Sequence, residues 1–197
     1  MKFSFLGIKI HISFLFCVVL CICLLTDKSG MATQTLLSIT LHEAGHIFCM
    51  WVMDCAPKEI RLIPASVKVI RSFNVGIKQE FWILFMGPCV NFVISLCAFI
   101  NYSFYNRKNV LNFCLINAVL GLFNILPVKG LDGGDMLFIT ASKRFGICKA
   151  NIIVNTVSLC FAAVVLIFGG WILAFKKANP TLLIAGVYMI FCTLLCK

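Results

Sequence analysis

The chain has 197 residues, 61% of them hydrophobic and 12% charged, with a mean hydropathy of +1.04. A soluble domain is about half apolar and a quarter charged, so this composition excludes a water-soluble globular fold and indicates a polytopic membrane protein. The net charge of +10 does not indicate nucleic acid, because the basic residues fall between apolar stretches, where they act as topology signals and anionic-lipid contacts.

Lys2 and Lys9 precede an apolar run, as in a signal peptide, but no small-residue cleavage site follows Leu25 and the span reads as retained. Residues 3–10 alternate weakly, which fits a short strand at the membrane interface. Six apolar spans follow, at about residues 12–25, 31–53, 81–102, 110–126, 152–175 and 181–195. Between the second and third, residues 54–77 carry Lys58, Arg61, Lys68 and Arg71 among β-branched residues, with prolines at 57 and 64. This segment has no helical period and reads equally as an interfacial hairpin or as a basic connector.

The third span contains Gly87-Pro88-Cys89-Val90-Asn91. A proline inside a span frees backbone groups, which is tolerated only where protein or a cavity satisfies them. The fourth span ends in Asn124-Ile125-Leu126-Pro127, and a glycine-rich turn carrying Asp132 and Asp135 follows. The expected fold is an all-α polytopic membrane protein of six transmembrane helices with a small interfacial β element, a single domain over residues 1–197.

The twelve cysteines form no C-x-x-C pair. Ten lie in the apolar spans, and only Cys55 and Cys148 fall in connecting segments, so they read as small free thiols packed as hydrophobes. Orientation follows from charge. With six spans, one side of the membrane collects twelve of the 17 Lys and Arg and the other five, which puts both termini in the cytoplasm. The second and fourth spans then both run toward the cytoplasmic face.

Residues 42–46 read His-Glu-Ala-Gly-His inside the second span. Four residues apart on a helix, His42 and His46 share one face, and Glu43 lies close enough to reach a water between them. In the H-E-x-x-H arrangement two histidines hold zinc and the glutamate is the general base. With three histidines and three glutamates in the chain, the pattern arises by chance in roughly one such chain in a thousand. The bland alternative is a hydrogen-bonded polar cluster inside a helix bundle.

A catalytic zinc site uses three protein ligands and leaves a position open. The candidates for the third are His11, Asp54, Glu59, Asp132 and Asp135. Asp132 ranks first, because its turn follows the cytoplasmic end of span four and its glycines permit close backbone approach. Asp135 reads as the cap or first turn of a following helix. Ordinary turn formation is the bland reading of Asp132-Gly133-Gly134.

His42-Glu43-Ala44-Gly45-His46, Gly87-Pro88-x-x-Asn91 and Asn124-x-x-Pro127-x-x-x-Leu131-Asp132-Gly133-Gly134 occur in that order. The set resembles the site-2 protease family of intramembrane zinc metalloproteases, and within it the bacterial stage IV sporulation protein FB subgroup. The resemblance implies one zinc ion per chain, within the bilayer, held by His42, His46 and Asp132, with Glu43 activating water. It implies that Asn124, with Pro127 and Gly133 of the same motif, supports the aspartate turn, and that Asn91 lies near the substrate path. The activity implied is hydrolysis of a peptide bond in a membrane-embedded or membrane-associated protein near the cytoplasmic face of a bacterial cell membrane. A sporulation pro-sigma factor, an anti-sigma factor and a signal-peptide remnant are all open as substrates, and membrane regulatory proteins as partners.

Lys129-Gly130 and Asp135 depart from the family pattern, and neither a PDZ nor a CBS domain is expected in this chain. Two other classes compete. A metal-ion transporter could use the same His/His/Asp set, but would want further ionisable residues along a path. A catalytically silent scaffold would lose Glu43 first, and Glu43 is present.

Overall fold

In a computed structural model of the protein, the described residues are 2–5, 8–12, 14–55, 57–63, 66–71, 75–176 and 181–195. The chain divides into two compact units, residues 1–122 and 123–197.

The first unit opens with β1 (Lys2–Phe5) and β2 (Ile8–Ile12), followed by α1 (Phe14–Thr26) and α2 (Met31–Val52). Strands β3 (Pro57–Ile63) and β4 (Ser66–Arg71) lead into α3 (Ile77–Tyr105) and α4 (Lys108–Asn124). The four strands make one sheet in sequence order, antiparallel at β1/β2 and β3/β4 and parallel at β2/β3. Within residues 54–77, the described stretches 57–63 and 66–71 pair as antiparallel strands.

Asp27 starts α2. One carboxylate oxygen accepts from the amides of Ala32 (2.8 Å) and Thr33 (3.2 Å), and the other from the amide (3.1 Å) and hydroxyl (2.9 Å) of Ser29. These bonds satisfy helix-end donors that have no partner within α2. Desolvation pushes the Asp27 pKa up, but the bonds from Ser29, Thr33 and Ala32 outweigh it and hold the carboxyl below its ordinary value.

The inside of this unit mixes polar and apolar side chains. Helix α2 buries Ser38, His42, Gly45, His46, Cys49 and Met50, while Phe48, Trp51 and Val52 face outward. Helix α3 buries Asn91 and Ser95 and exposes Phe92, Val93, Leu96 and Phe99. Without water outside, such polar groups bond internally. Ser38 and Thr40 donate to the Gln34 and Leu36 carbonyls, Asn117 of α4 donates to Ser38 Oγ (2.9 Å), and Ser95 donates to the Cys114 carbonyl. Helix contact is made through small residues, as expected where lipid removes the hydrophobic drive. A Cβ on Gly45 would sit 2.8 Å from a Val90 methyl.

The second unit holds the end of α4, then α5 (Asp132–Phe145), α6 (Ile147–Lys176) and α7 (Thr181–Leu195). Its core is Val128, Ala162 and Met189, flanked by Leu126, Leu131 and Val165.

The six helices α1 to α4, α6 and α7 fall where the six spans are expected, with ends that differ by a few residues. Two of them, Ile77–Tyr105 and Ile147–Phe175, are long and apolar enough among the described residues to cross a membrane, and Leu182–Phe191 is a shorter apolar helix. Cys148 lies inside α6 rather than in a connector, because that helix begins five residues before the apolar run. The cysteines whose side chains are described, Cys49 and Cys114 among them, are free thiols.

Candidate metal centre

His42 and His46 occupy successive turns of α2 and are 5% and 7% exposed. Their rings meet edge to face, with centroids 4.8 Å apart, and their Nε2 atoms face each other at 3.2 Å. Two imidazole nitrogens bound at about 2.0–2.1 Å to one tetrahedral zinc stand roughly 3.3 Å apart, so this spacing fits the metal.

Helix α3 fixes both rings from the other side. The Ile83 carbonyl accepts from His46 Nδ1 at 2.7 Å, and Ile83 is itself 1% exposed, packed with Cys49 and Met50. Asn91, fully buried, places Nδ2 3.1 Å from His42 Nδ1. Between these two, Gly87 gives the rings room, because a Cβ there would collide with the His46 and His42 imidazoles. Pro88 follows within the helix, where it denies the Leu84 carbonyl its partner and opens the backbone ladder. Gly-Pro-x-x-Asn is thus the wall against which the histidine pair is held.

A carbonyl only accepts, so His46 carries its proton on Nδ1 and presents a lone pair at Nε2. Such bonding of the outer ring nitrogen orients a metal-binding histidine. Glu43 is half-buried, beside the first histidine on the same helix.

The aspartates lie in the second unit. Asp132 is half-buried and Asp135 exposed, both in the first turn of α5. The expected glycine-rich turn is corrected here: the helix begins at Asp132, and Gly133 and Gly134 are helical. They are small because the preceding loop lies on them. A Cβ on Gly133 would meet the Ile125 and Leu126 carbonyls, and one on Gly134 the Val128 carbonyl. Asn124 ends α4, and it and Pro127 are half-buried. The loop closes through Leu126 N to Phe123 O, Val128 N to Leu126 O and Leu131 N to Val128 O. Lys129 pins it, its amide donating to Ser158 Oγ (2.8 Å) and its ammonium to Asn155 Oδ1 (3.2 Å). The departure at Lys129 is therefore an anchor onto α6.

Of the other third-ligand candidates, His11 lies in β2 opposite Lys2 and Arg61, Glu59 lies in β3, and Asp54 is exposed with φ of 56°. No motif points to the Ile83 carbonyl, which carries no side-chain signature. Ser38 and Asn117 were legible only as polar residues in apolar spans.

Residues 107–168 match the profile of peptidase family M50, a stretch that includes Asn124 to Gly134 but not His42 to His46. The chain is 29% identical over 176 residues to the stage IV sporulation protein FB of Bacillus subtilis, covering 87% of this chain and 60% of that one. It is 26% identical over 200 residues to a zinc metalloprotease of Methanocaldococcus jannaschii, covering 96% and 57%. The chain thus spans about 60% of the length of the curated relatives it matches. The structure superposes on that of a site-2 protease from M. jannaschii with a TM-score of 0.70 and 25% identity, over 98% of this chain and 93% of the other. Fold, motifs and comparisons agree: the chain is similar to the site-2 proteases and, among them, to the stage IV sporulation protein FB.

Proposed function

We propose that the chain is an intramembrane zinc metalloprotease that hydrolyses a peptide bond in a membrane-embedded or membrane-associated protein near the cytoplasmic face. The observation that carries this reading is the buried histidine pair, with Nε2 atoms 3.2 Å apart and His46 Nδ1 bonded to a backbone carbonyl. Each of His42, His46 and Asp132 offers one ligand atom of a type that zinc takes, and one ion per chain is the proposed complement. Zinc, when bound, supplies a Lewis acid and acidifies water toward neutral pH.

The chain's own groups do the rest. Glu43 takes a proton from the attacking water and returns it to the leaving amine. His42 and His46 hold their geometry through α3, and Asn124, Pro127 and Gly133 shape the loop that presents Asp132. Asn91 lies behind His42, which moves its proposed role from the substrate path to the ligand itself. A transmembrane substrate must unwind before its carbonyls are accessible, and the hairpin β3–β4 offers strand pairing to such a segment.

In this reading residues 1–197 form one six-span domain with the sheet at the interface and both termini cytoplasmic. The proposed substrates include a sporulation pro-sigma factor; the Bacillus relative's name says only that it acts in sporulation. Nothing in the comparisons favours metal-ion transport. The test is Glu43→Gln, which is expected to bind zinc as the wild type does and to lose cleavage of a tagged membrane substrate by more than about a hundredfold. Cleavage at the wild-type rate would refute the assignment of the base.

A further inference from the structure

The four-stranded sheet of the first unit has two chemically different faces. Residues directly opposite one another in adjacent strands share a face, and the next residue along each strand lies on the other. The register aligns Lys2 of β1 with His11 of β2, His11 with Arg61 of β3, and Arg61 with Lys68 of β4. Three cations and a histidine thus form one row across all four strands, about 14 Å from end to end at the usual strand spacing. Like charges set opposite each other destabilise a sheet. Two residues along on the same face, the row Ser4–Lys9–Glu59–Ile70 sets one cation against one carboxylate and is balanced. The row from Lys2 to Lys68 is not.

The other face is apolar. Its central row is Phe3–Ile10–Ile60–Val69, with the pair Leu62–Val67 on one side. Lys58 and Arg71 lie only at its far margin, where a bulge interrupts the β3/β4 pairing. Short links hold the sheet at the ends of helices. One residue separates β2 from α1, four separate α2 from β3, and five separate β4 from α3, so no link exceeds about 18 Å of extended chain. Helix α3 is long and apolar enough to cross a membrane. An element with one apolar and one cationic face, tethered at such helix ends, has the make-up of the amphipathic helices that lie in a bilayer interface. An acidic protein would account for the cations alone, whereas a membrane surface accounts for both faces.

We infer that this sheet is a docking surface for anionic phospholipid, with headgroup phosphates drawn to the row Lys2–His11–Arg61–Lys68. The inference rests on the membrane placement proposed above and not on the zinc site.

The experiment places the full chain in nanodiscs of phosphatidylcholine with a minority of phosphatidylglycerol, and native mass spectrometry counts the lipids that stay with the protein. Wild type is expected to retain phosphatidylglycerol beyond its share, and raised salt to erase that preference. Each cation near an anionic surface is worth about fivefold, so Arg61→Gln combined with Lys68→Gln is expected to lower the preference by about tenfold or more. Arg61→Lys combined with Lys68→Arg keeps the charge and is expected to keep the preference, as is Lys28→Gln outside the sheet. An undiminished preference in the double Gln variant, or one in wild type that salt leaves untouched, would overturn the inference while the protease reading stands. So would a polyglutamate peptide that wild type binds through Arg61 and Lys68 in pure phosphatidylcholine discs and that phosphatidylglycerol does not displace, which would make the occupant an acidic protein. A chain that fails to enter the discs would overturn the membrane placement and the inference together.

Discussion

The histidine face of α2 and the loop before α5 hold their proposed metal ligands in place by opposite means. His42 and His46 ride on a regular helix, and their rings are fixed by side-chain bonds to α3, at Ile83 O and Asn91. Asp132 rides on the first turn of α5, and nothing regular precedes it. Its position depends on a loop of consecutive turns resting on two glycines and tied to α6 by Lys129. One of the proposed ligand sets is held through its secondary structure, the other only through packing. Changes that leave the backbone alone should therefore act on the histidines one at a time, while a single added methyl should displace the aspartate loop as a whole.

The sharpest way to break that contrast is Gly133→Ala. Its Cβ would lie against the Ile125 and Leu126 carbonyls, which are backbone and cannot rotate aside. Overpacking of this kind costs about 1–3 kcal/mol or more, and the loop is expected to shift, with a drop of several degrees in the thermal midpoint in detergent and loss of zinc. A variant as stable and as zinc-loaded as wild type would show that the loop is softer than its turns indicate. Gly87→Ala is next. The methyl meets imidazole edges rather than backbone, so the rings can yield. Zinc affinity is expected to fall by at least about tenfold with a smaller loss of stability, read by chelator competition and thermal unfolding on the same samples.

Much of this was readable in the sequence because helices and the histidine motif announce themselves by local period. The six helices fall within a few residues of their expected places, and His42 and His46 share a face because four residues separate them. The start of α5 was readable only to within a turn, through Asp135. Asp132-Gly133-Gly134 reads as a turn, since glycine costs about 1 kcal/mol in a helix, yet here packing under the Ile125 and Val128 carbonyls demands it. The pairing of β2 with β3 joins segments some fifty residues apart, and no local pattern encodes such a contact. Ile83 holds His46 with a carbonyl, which every residue has.

The smallest expected effect lies at the far end of α2. The Asp27 carboxyl is held below its ordinary pKa, so its contribution is fully present above that value and is lost as pH falls through the lowered one. Hydrogen exchange at the Ala32 and Thr33 amides should quicken relative to the centre of α2 on acidification through that range. In Asp27→Asn the same ratio should stay flat. An equal acid response in both proteins would remove Asp27 as the cap.

The central claim is that two histidines on α2 and one aspartate on α5 hold a single zinc ion. Its most direct test is the zinc content of purified wild-type protein and of Asp132→Ala, measured by elemental analysis on folded samples. The account predicts one zinc per wild-type chain and little or none in the variant. Stoichiometric zinc in Asp132→Ala would contradict it and place the third ligand elsewhere.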